Sequence, residues 1–235
     1  MNIIFIRDLI LNLLFPRKIE TFDLGILKIY LESNIKIKVF NTFPITYSVL
    51  PYRKKIIKSL IINIKYGART DALELMLLVI NNYFARDNLW KKIVGSECDN
   101  FCVYLLPVPI TKRRLAYRGF NQTERICRYL EYLNLNSAVF MRVNSLLLEK
   151  NVDTAPQAEQ NLERRRTNLK GAFSINVIQM DKILEEVEER VGLKENYFFI
   201  VDDVTTTGST LRETALAIAS AGIPKDKIFG LTLAY

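Results

Sequence analysis

Short apolar runs alternate with longer, helix-like stretches along the second half of the chain. The apolar residues at 198–201 form an unbroken run, which is typical of a parallel strand that is buried on both faces. Residues 103–106 and one or two segments within 139–148 are also predicted as strands. Helices are predicted over 70–84, 121–133, 178–191 and 211–221, with a connector at 90–101. This alternation predicts an α/β fold with a mainly parallel, twisted sheet flanked by helices.

The first third of the chain is basic and contains a further amphipathic pattern. A set of apolar residues repeats at helical spacing and predicts a helix with one face in the core: Ile56, Ile57, Leu60, Ile61 and Ile64. The basic residues of this segment are Arg53, Lys54, Lys55, Lys58 and Lys65. Residues 1–70 hold 12 Lys and Arg against 4 Asp and Glu, so the whole net charge of +8 lies there. The basic face is either a surface for the phosphates of single-stranded DNA or a solvated helix face.

Two carboxylates directly follow the apolar run at 198–201. In open α/β sheets ligands bind beyond the carboxyl ends of the strands, so Asp202 and Asp203 are predicted at a ligand-binding edge. The hydroxyl-rich turn that follows contains Gly208, which permits a positive φ, and Ser209 or Thr210 is predicted to cap the next helix. The unpaired N–H groups at this helix start attract a phosphate. Adjacent carboxylates beside a phosphate require hydroxyl donors or a cation, and a ribose with Mg²⁺ supplies both.

The stretch 198–210 closely resembles the signature of type I phosphoribosyltransferases, which bind 5-phosphoribosyl-1-pyrophosphate (PRPP). The resemblance implies that Asp202 and Asp203 are catalytic and face the ribose hydroxyls and, through water, a Mg²⁺ ion. It also implies that the turn holds the 5′-phosphate through Thr205, Thr206, Thr207, Gly208, Ser209 and Thr210. The alternative is a solvated strand end followed by an ordinary helix cap.

A second block narrows the family. Residues 105–122 contain a Pro-Val-Pro turn and an arginine-rich stretch that ends in Arg-Gly-Phe-Asn-Gln. This block resembles the ComF/GntX family, which comprises competence-associated and gluconate-associated proteins built on the phosphoribosyltransferase fold. Residues 153–157 and 165–173 follow the same family order, and residues 65–67 resemble its upstream Lys-Tyr-Gly element. The resemblance implies pyrophosphate binding by a set of loop residues: Pro107, Val108, Pro109, Arg113, Arg114, Arg118, Lys150 and Arg165.

The N-terminal part departs from the family pattern. Many relatives carry a cysteine-rich zinc module after a Phe-Pro pair like Phe15-Pro16, whereas this chain has three cysteines and no histidine. Cys98, Cys102 and Cys127 form no Cys-x-x-Cys pair, so no structural zinc is expected. Free thiols without a signal-peptide pattern predict a cytoplasmic protein. The apolar stretch at 3–15 is too short to span a bilayer and is predicted to be a docked helix.

Two functions remain open. One is Mg²⁺-dependent transfer of the phosphoribosyl group from PRPP to an acceptor, with release of pyrophosphate. The other is a non-catalytic role in competence or DNA uptake, in which the fold binds a ribose 5-phosphate ligand, a nucleotide or single-stranded DNA. The resemblance implies a divergent, hood-like N-terminal subdomain at 1–68 and a phosphoribosyltransferase-like domain at 69–235. In this fold a variable hood selects the acceptor, so the PRPP motifs do not identify the acceptor.

Overall fold

The structure is a computed structural model that describes residues 24–66, 70–86, 89–94, 101–134, 139–151, 171–189 and 195–235. Its helices are α1 (Leu24–Asn34), α2 (Lys55–Tyr66), α3 (Thr70–Arg86), α4 (Leu89–Val94), α5 (Lys112–Arg118), α6 (Gln122–Leu133), α7 (Val177–Glu189) and α8 (Ser209–Ser220). Its strands are β1 (Lys38–Phe40), β2 (Ile45–Leu50), β3 (Phe101–Pro107), β4 (Phe140–Val143), β5 (Leu148–Lys150), β6 (Phe173–Ile175), β7 (Glu195–Val204) and β8 (Ile228–Ala234). A short 3₁₀ helix, Lys225–Lys227, leads into β8.

The main sheet has six strands in the order β1-β2-β8-β7-β3-β4, and β5 pairs with β6 in a separate small sheet. All neighbours in the main sheet are parallel except β1 and β2. Strand β7 lies in the middle, with Phe199 between Leu105 of β3 and Phe229 of β8. The predicted α/β fold with a mainly parallel sheet is confirmed, and it is consistent with a type I phosphoribosyltransferase-like fold.

Both faces of β7 are buried, as its apolar run predicts. Because side chains alternate along a strand, Phe199 and Val201 enter one core with α1, α2, α3, α4 and α6. Phe198 and Ile200 enter the opposite core with β5, β6, α7 and α8. Trp90 meets Phe199 edge-on, with ring centroids 5.3 Å apart, and Tyr104 stacks on Phe198 at 5.2 Å. The two cores hold β7 rigidly, so the strand end presents its carboxylates at a fixed position.

The predicted helices and strands are found within a few residues of their expected bounds. Two differences concern the first half of the chain. The connector predicted at 90–101 begins inside the short helix α4, where Trp90 packs against Phe84 with ring centroids 4.9 Å apart. Strands β1 and β2 lie in the main sheet, so the sheet includes residues on both sides of the boundary predicted at 68/69. The division into two domains stays a prediction, and the helix predicted at 3–15 lies outside the described residues.

Among the described residues, every helix is too short or too polar to cross a membrane.

Candidate functional site

The acid pair lies at the carboxyl edge of the sheet, where β7 ends. Strand β7 continues through both carboxylates to Val204, one residue beyond the predicted pair. Asp203 is only 4% exposed, whereas Asp202 is half-buried. The backbone N–H of Asp203 donates to Oδ1 of Asp202 at 2.8 Å, which fixes the Asp202 side chain against the strand end.

Asp203 is held by two side chains from distant parts of the chain. Lys65 Nζ, near the end of α2, lies 3.1 Å from Asp203 Oδ1. Gln122 Nε2, at the first position of α6, donates to Asp203 Oδ2 at 3.2 Å. Arg118 Nη1 in turn donates to Gln122 Oε1 at 3.0 Å. A buried carboxylate requires a counter-charge and hydrogen bonds, and this network supplies both.

One residue from each of three motifs therefore meets at this point: Lys65 of Lys-Tyr-Gly, Gln122 of Arg-Gly-Phe-Asn-Gln and Asp203 of the acid pair. The grouping of Lys65 with the exposed basic residues of α2 is wrong, because Lys65 turns to Asp203 at the inner end of the helix. Gln122 is a site residue that the sequence reasoning missed. Its position as the last residue of the Arg-Gly-Phe-Asn-Gln block was the available signal.

Of the two carboxylates, Asp202 is the one whose charged form is disfavoured by its surroundings. Burial, which is the larger cause, and the neighbouring charge of Asp203 together raise the pKa of Asp202 from 3.8 to about 7. The backbone N–H of Asp203 and the charges of Lys65 and Lys150 oppose this rise. The Asp202 carboxylate is thus short of positive charge in the protein alone, and a cation at this edge would relieve it.

The hydroxyl-rich turn connects the end of β7 to the start of α8. The Thr205 N–H donates to the Ala234 carbonyl at 2.9 Å, which ties the turn to the end of β8. The predicted cap by Ser209 or Thr210 is wrong: Gly208 is the N-cap, with φ of 70° and no side-chain cap bond. A residue with a Cβ is strained at this φ, so the glycine sets the path of the turn. Thr207 Oγ1 and Ser209 Oγ lie 2.9 Å apart.

This turn lines a small pocket together with Asp202 and Leu211. The first N–H groups of a helix have no intrahelical partner, and the helix dipole favours negative charge there. The six predicted phosphate-binding residues all border this pocket: Thr205, Thr206, Thr207, Gly208, Ser209 and Thr210. The turn therefore presents hydrogen-bond donors and the positive end of the helix dipole close to the acid pair.

The Pro-Val-Pro turn lies on the same edge, next to β7. Strand β3 ends at Pro107, and the Val108 N–H donates to the Val201 carbonyl at 3.0 Å. The Val108 carbonyl accepts bonds from Asn121 Nδ2 at 3.2 Å and Thr123 Oγ1 at 2.8 Å. The start of α6 therefore locks this turn, and the same helix start supplies Gln122 to Asp203.

The cationic residues predicted to bind pyrophosphate differ in their relation to the acid pair. Thr111 caps α5 by accepting a hydrogen bond from the Arg114 N–H at 3.3 Å. On this helix Arg113 is exposed, whereas Arg118 is half-buried and donates to Gln122. The charge of Lys150 acts on Asp202, and its Nζ lies 5.3 Å from the centroid of the Phe173 ring. Arg165 lies outside the described residues.

The residues at this edge fit a Mg²⁺ ion. Mg²⁺ prefers oxygen ligands and is usually held by one or two carboxylates together with substrate phosphates, rather than by a full protein cage. Asp202 offers a half-buried carboxylate that is short of positive charge, while Asp203 is already bonded to Lys65 and Gln122. Within the described ranges no cluster of three or more carboxylates, thiols or imidazoles is present. Cys102 and Cys127 are buried, Cys98 lies outside the described residues, and the absence of zinc stays a prediction.

The mainly parallel sheet flanked by helices is consistent with a type I phosphoribosyltransferase-like fold. No family model matches the chain. The chain is 34% identical over 134 residues to Competence protein F of Haemophilus influenzae, which is 55% of this chain and 50% of that protein. It is 30% identical over 127 residues to DNA utilization protein YhgH of Escherichia coli O6:H1, or 54% and 48% of the two chains. It is 28% identical over 155 residues to Competence protein ComFC of Streptococcus pneumoniae, or 63% and 58%.

These matches confirm the resemblance to the ComF family of competence-associated proteins that the sequence motifs indicate. The chain spans about half the length of the curated relatives that it matches.

The Lys65–Asp203 pair yields a stability prediction. Replacing Lys65 by Met leaves the Asp203 charge buried without its partner. Because the Lys65 side chain is 29% exposed, we expect a loss of about 2 kcal/mol in the free energy of unfolding, between the values for exposed and buried pairs. Adding Asp203→Asn removes that charge and should restore most of the loss. Urea denaturation of both single variants and the double variant measures the coupling. Lys58→Met, an exposed lysine on the same helix, serves as the control, and additive effects of the two substitutions would contradict the pair.

The raised pKa of Asp202 yields a pH prediction for the protein in EDTA. The unfolded carboxyl ionises near 3.8 and the folded one near 7, so the folded state loses stability as the pH rises between these values. Asp202→Asn has no such loss. Its stability relative to the wild type should therefore increase from pH 5 to pH 7 and then level off. Thermal denaturation across pH 5–8 checks this, and a constant difference would show that the Asp202 pKa is not raised.

Proposed function

We propose that this chain binds PRPP at the carboxyl edge of the sheet and transfers its phosphoribosyl group to an acceptor, with release of pyrophosphate. The observation that carries the proposal is the buried Asp203 carboxylate, held by Lys65 and Gln122 close before the hydroxyl-rich turn at the start of α8. A solvated strand end does not require a counter-charge from one helix and an amide from another. The edge instead has the features of a prepared polar site.

The turn after β7 binds the 5′-phosphate. Its backbone N–H groups and the hydroxyls of Thr206, Thr207 and Ser209 are hydrogen-bond donors around a helix start. The positive φ of Gly208 brings the backbone close to the anion without a side chain in the way. No cationic side chain is needed within the turn, because the helix dipole favours the negative charge.

The acid pair binds the ribose. Carboxylates accept hydrogen bonds from the 2′- and 3′-hydroxyls, and Asp203 is oriented for this by Lys65 and Gln122. The negative charge of the pair also lies near the carbon where positive charge develops as the pyrophosphate leaves. Asp202 would hold Mg²⁺ through water, and the ion would supply positive charge to the leaving pyrophosphate.

The Pro-Val-Pro turn and its neighbouring cations bind the pyrophosphate. The φ angles of Pro107 and Pro109 are fixed by their rings, so the backbone of this turn is pre-organised for an anion. Arg118 is linked to the acid pair through Gln122, which donates to Asp203. The other cations assigned to the pyrophosphate are Arg113, Arg114, Lys150 and Arg165.

The loop supplies the first functional prediction. A variant with Thr206→Ala, Gly208→Val and Ser209→Ala loses two hydroxyls and gains a strained φ, so PRPP affinity in Mg²⁺ should fall at least about tenfold. For the wild type we expect micromolar binding, on the order of −8 kcal/mol. Isothermal titration calorimetry measures both.

The matched control is Ser220→Ala, which removes a hydroxyl from the far end of the same helix. Equal PRPP affinity in the loop variant and the wild type would refute the phosphate assignment. Pyrophosphate release from PRPP, measured with a panel of nucleobases and amines, separates a transferase from a protein that only binds the ligand.

A second candidate function is binding of single-stranded DNA in competence. The relatives named for competence and DNA utilization favour it, and so does the exposed basic face of α2. Ile57, Leu60 and Ile61 on the opposite face are fully buried, which directs Lys54 and Lys58 to solvent. Such a face binds a phosphate backbone without reading its sequence.

The DNA-binding function makes a prediction about salt. Affinity for single-stranded DNA should fall with a log–log slope of about −0.7 per phosphate contact. Changing Lys54, Lys55 and Lys58 to Gln should flatten this slope and leave PRPP affinity intact, as fluorescence anisotropy and calorimetry would show. Binding that is insensitive to salt and to these substitutions would favour a solvated helix face.

A further inference from the structure

A second cavity lies beside the phosphate turn and is not used by the proposed PRPP site. It has a volume of about 880 Å³ and shares Thr207, Gly208 and Ser209 with the small phosphate pocket as a common wall. Its other lining residues come from three segments: Thr42 and Phe43 before β2, Arg212, Glu213 and Leu216 on α8, and Lys225 before β8. This volume lies within the range of about 300–1,000 Å³ that is typical of small-ligand pockets.

Helix α8 forms one wall of the second cavity. One face of the helix contains Ser209 and the residues three, four and seven positions after it, which are Arg212, Glu213 and Leu216. Leu211, Ala215 and Ile218 occupy another face and are buried in the core. The wall toward the cavity is therefore the solvent-facing side of the helix, whereas the phosphate turn lies at its start.

The cavity combines two cations with an aromatic surface. Arg212 and Lys225 are both exposed, and among the described residues neither forms an ion pair with a carboxylate. Lys225 Nζ lies 5.5 Å from the centroid of the Phe43 ring. Glu213 adds one carboxylate, so the lining side chains carry a net positive charge. Cations beside an aromatic ring suit a ligand that has both an anionic group and a flat ring.

We propose that this cavity binds a nucleoside phosphate, with the phosphate at Arg212 and Lys225 and the base against Phe43. A guanidinium and an ammonium together match a phosphate group, and a nucleobase can stack on a phenylalanine ring. Glu213 is placed to accept a hydrogen bond from a sugar hydroxyl or a base amino group. The site is independent of PRPP transfer and requires only the shape and charge of the cavity.

The test is calorimetry with AMP, using adenosine and inorganic phosphate as partial ligands. Wild-type protein should bind AMP more tightly than either partial ligand. Arg212→Gln/Lys225→Gln should lower AMP affinity at least about tenfold, because charge-assisted hydrogen bonds to the phosphate are lost. Phe43→Leu should weaken AMP and adenosine but not inorganic phosphate. Arg142→Gln/Lys182→Gln removes the same two charges from exposed positions outside the cavity and should bind AMP as the wild type does.

Several results would overturn the proposal. The first is that the wild type does not bind AMP, and the second is that the cavity variant and the charge control bind AMP with equal affinity. The third is that Mg²⁺–PRPP displaces AMP in a competition experiment. Failure of PRPP binding would leave the AMP result unchanged, so the two proposals fail separately. A 5′-phosphorylated hexathymidylate distinguishes the sources of the ligand. If it binds and depends on Arg212 and Lys225, the site takes a strand end; if only AMP binds, it takes a free nucleotide, and both results support the site.

Discussion

The buried carboxylate of Asp203 is the interaction on which the arrangement of the site depends. A carboxylate that is 4% exposed is tolerated only with a counter-charge and hydrogen bonds, and Lys65 and Gln122 supply them. This requirement places the end of α2 and the start of α6 at the same sheet edge. The start of α6 also holds the Pro-Val-Pro turn through the Val108 carbonyl. One buried charge thus connects three separate segments of the chain.

The sheet gives this network a rigid support. Strand β7 has neighbours on both sides and a packed core on each face, so its end has little freedom to move. The partly exposed Asp202 is the opposite case, because its charge is not balanced within the protein. The contrast between Asp203, which has a direct ion pair, and Asp202, for which the described residues show none, is typical of a site that completes itself with a ligand or a cation.

Local patterns in the sequence predicted the elements but not their long-range partners. The apolar run before Asp202 predicted β7 because a doubly buried strand needs apolar residues on both faces. Helical periodicity predicted α2 and its buried face, yet it could not show that Lys65 leaves the basic group, since periodicity describes a face and not what lies at its end. Gln122 and Asp203 are 81 residues apart. The pairing of β2 with β8 joins the two ends of the described chain, with Thr232 Oγ1 donating to Ser48 Oγ at 2.7 Å, and no local pattern indicates it.

A crystal structure of the protein with PRPP and Mg²⁺ would decide whether the carboxyl edge around Asp203 is a PRPP site. We expect the 5′-phosphate in the turn at 205–210, the ribose hydroxyls at the acid pair, and Lys65 and Gln122 still bonded to Asp203. Ligand density at any other place on the protein, or an acid pair that faces no part of the bound ligand, would contradict it.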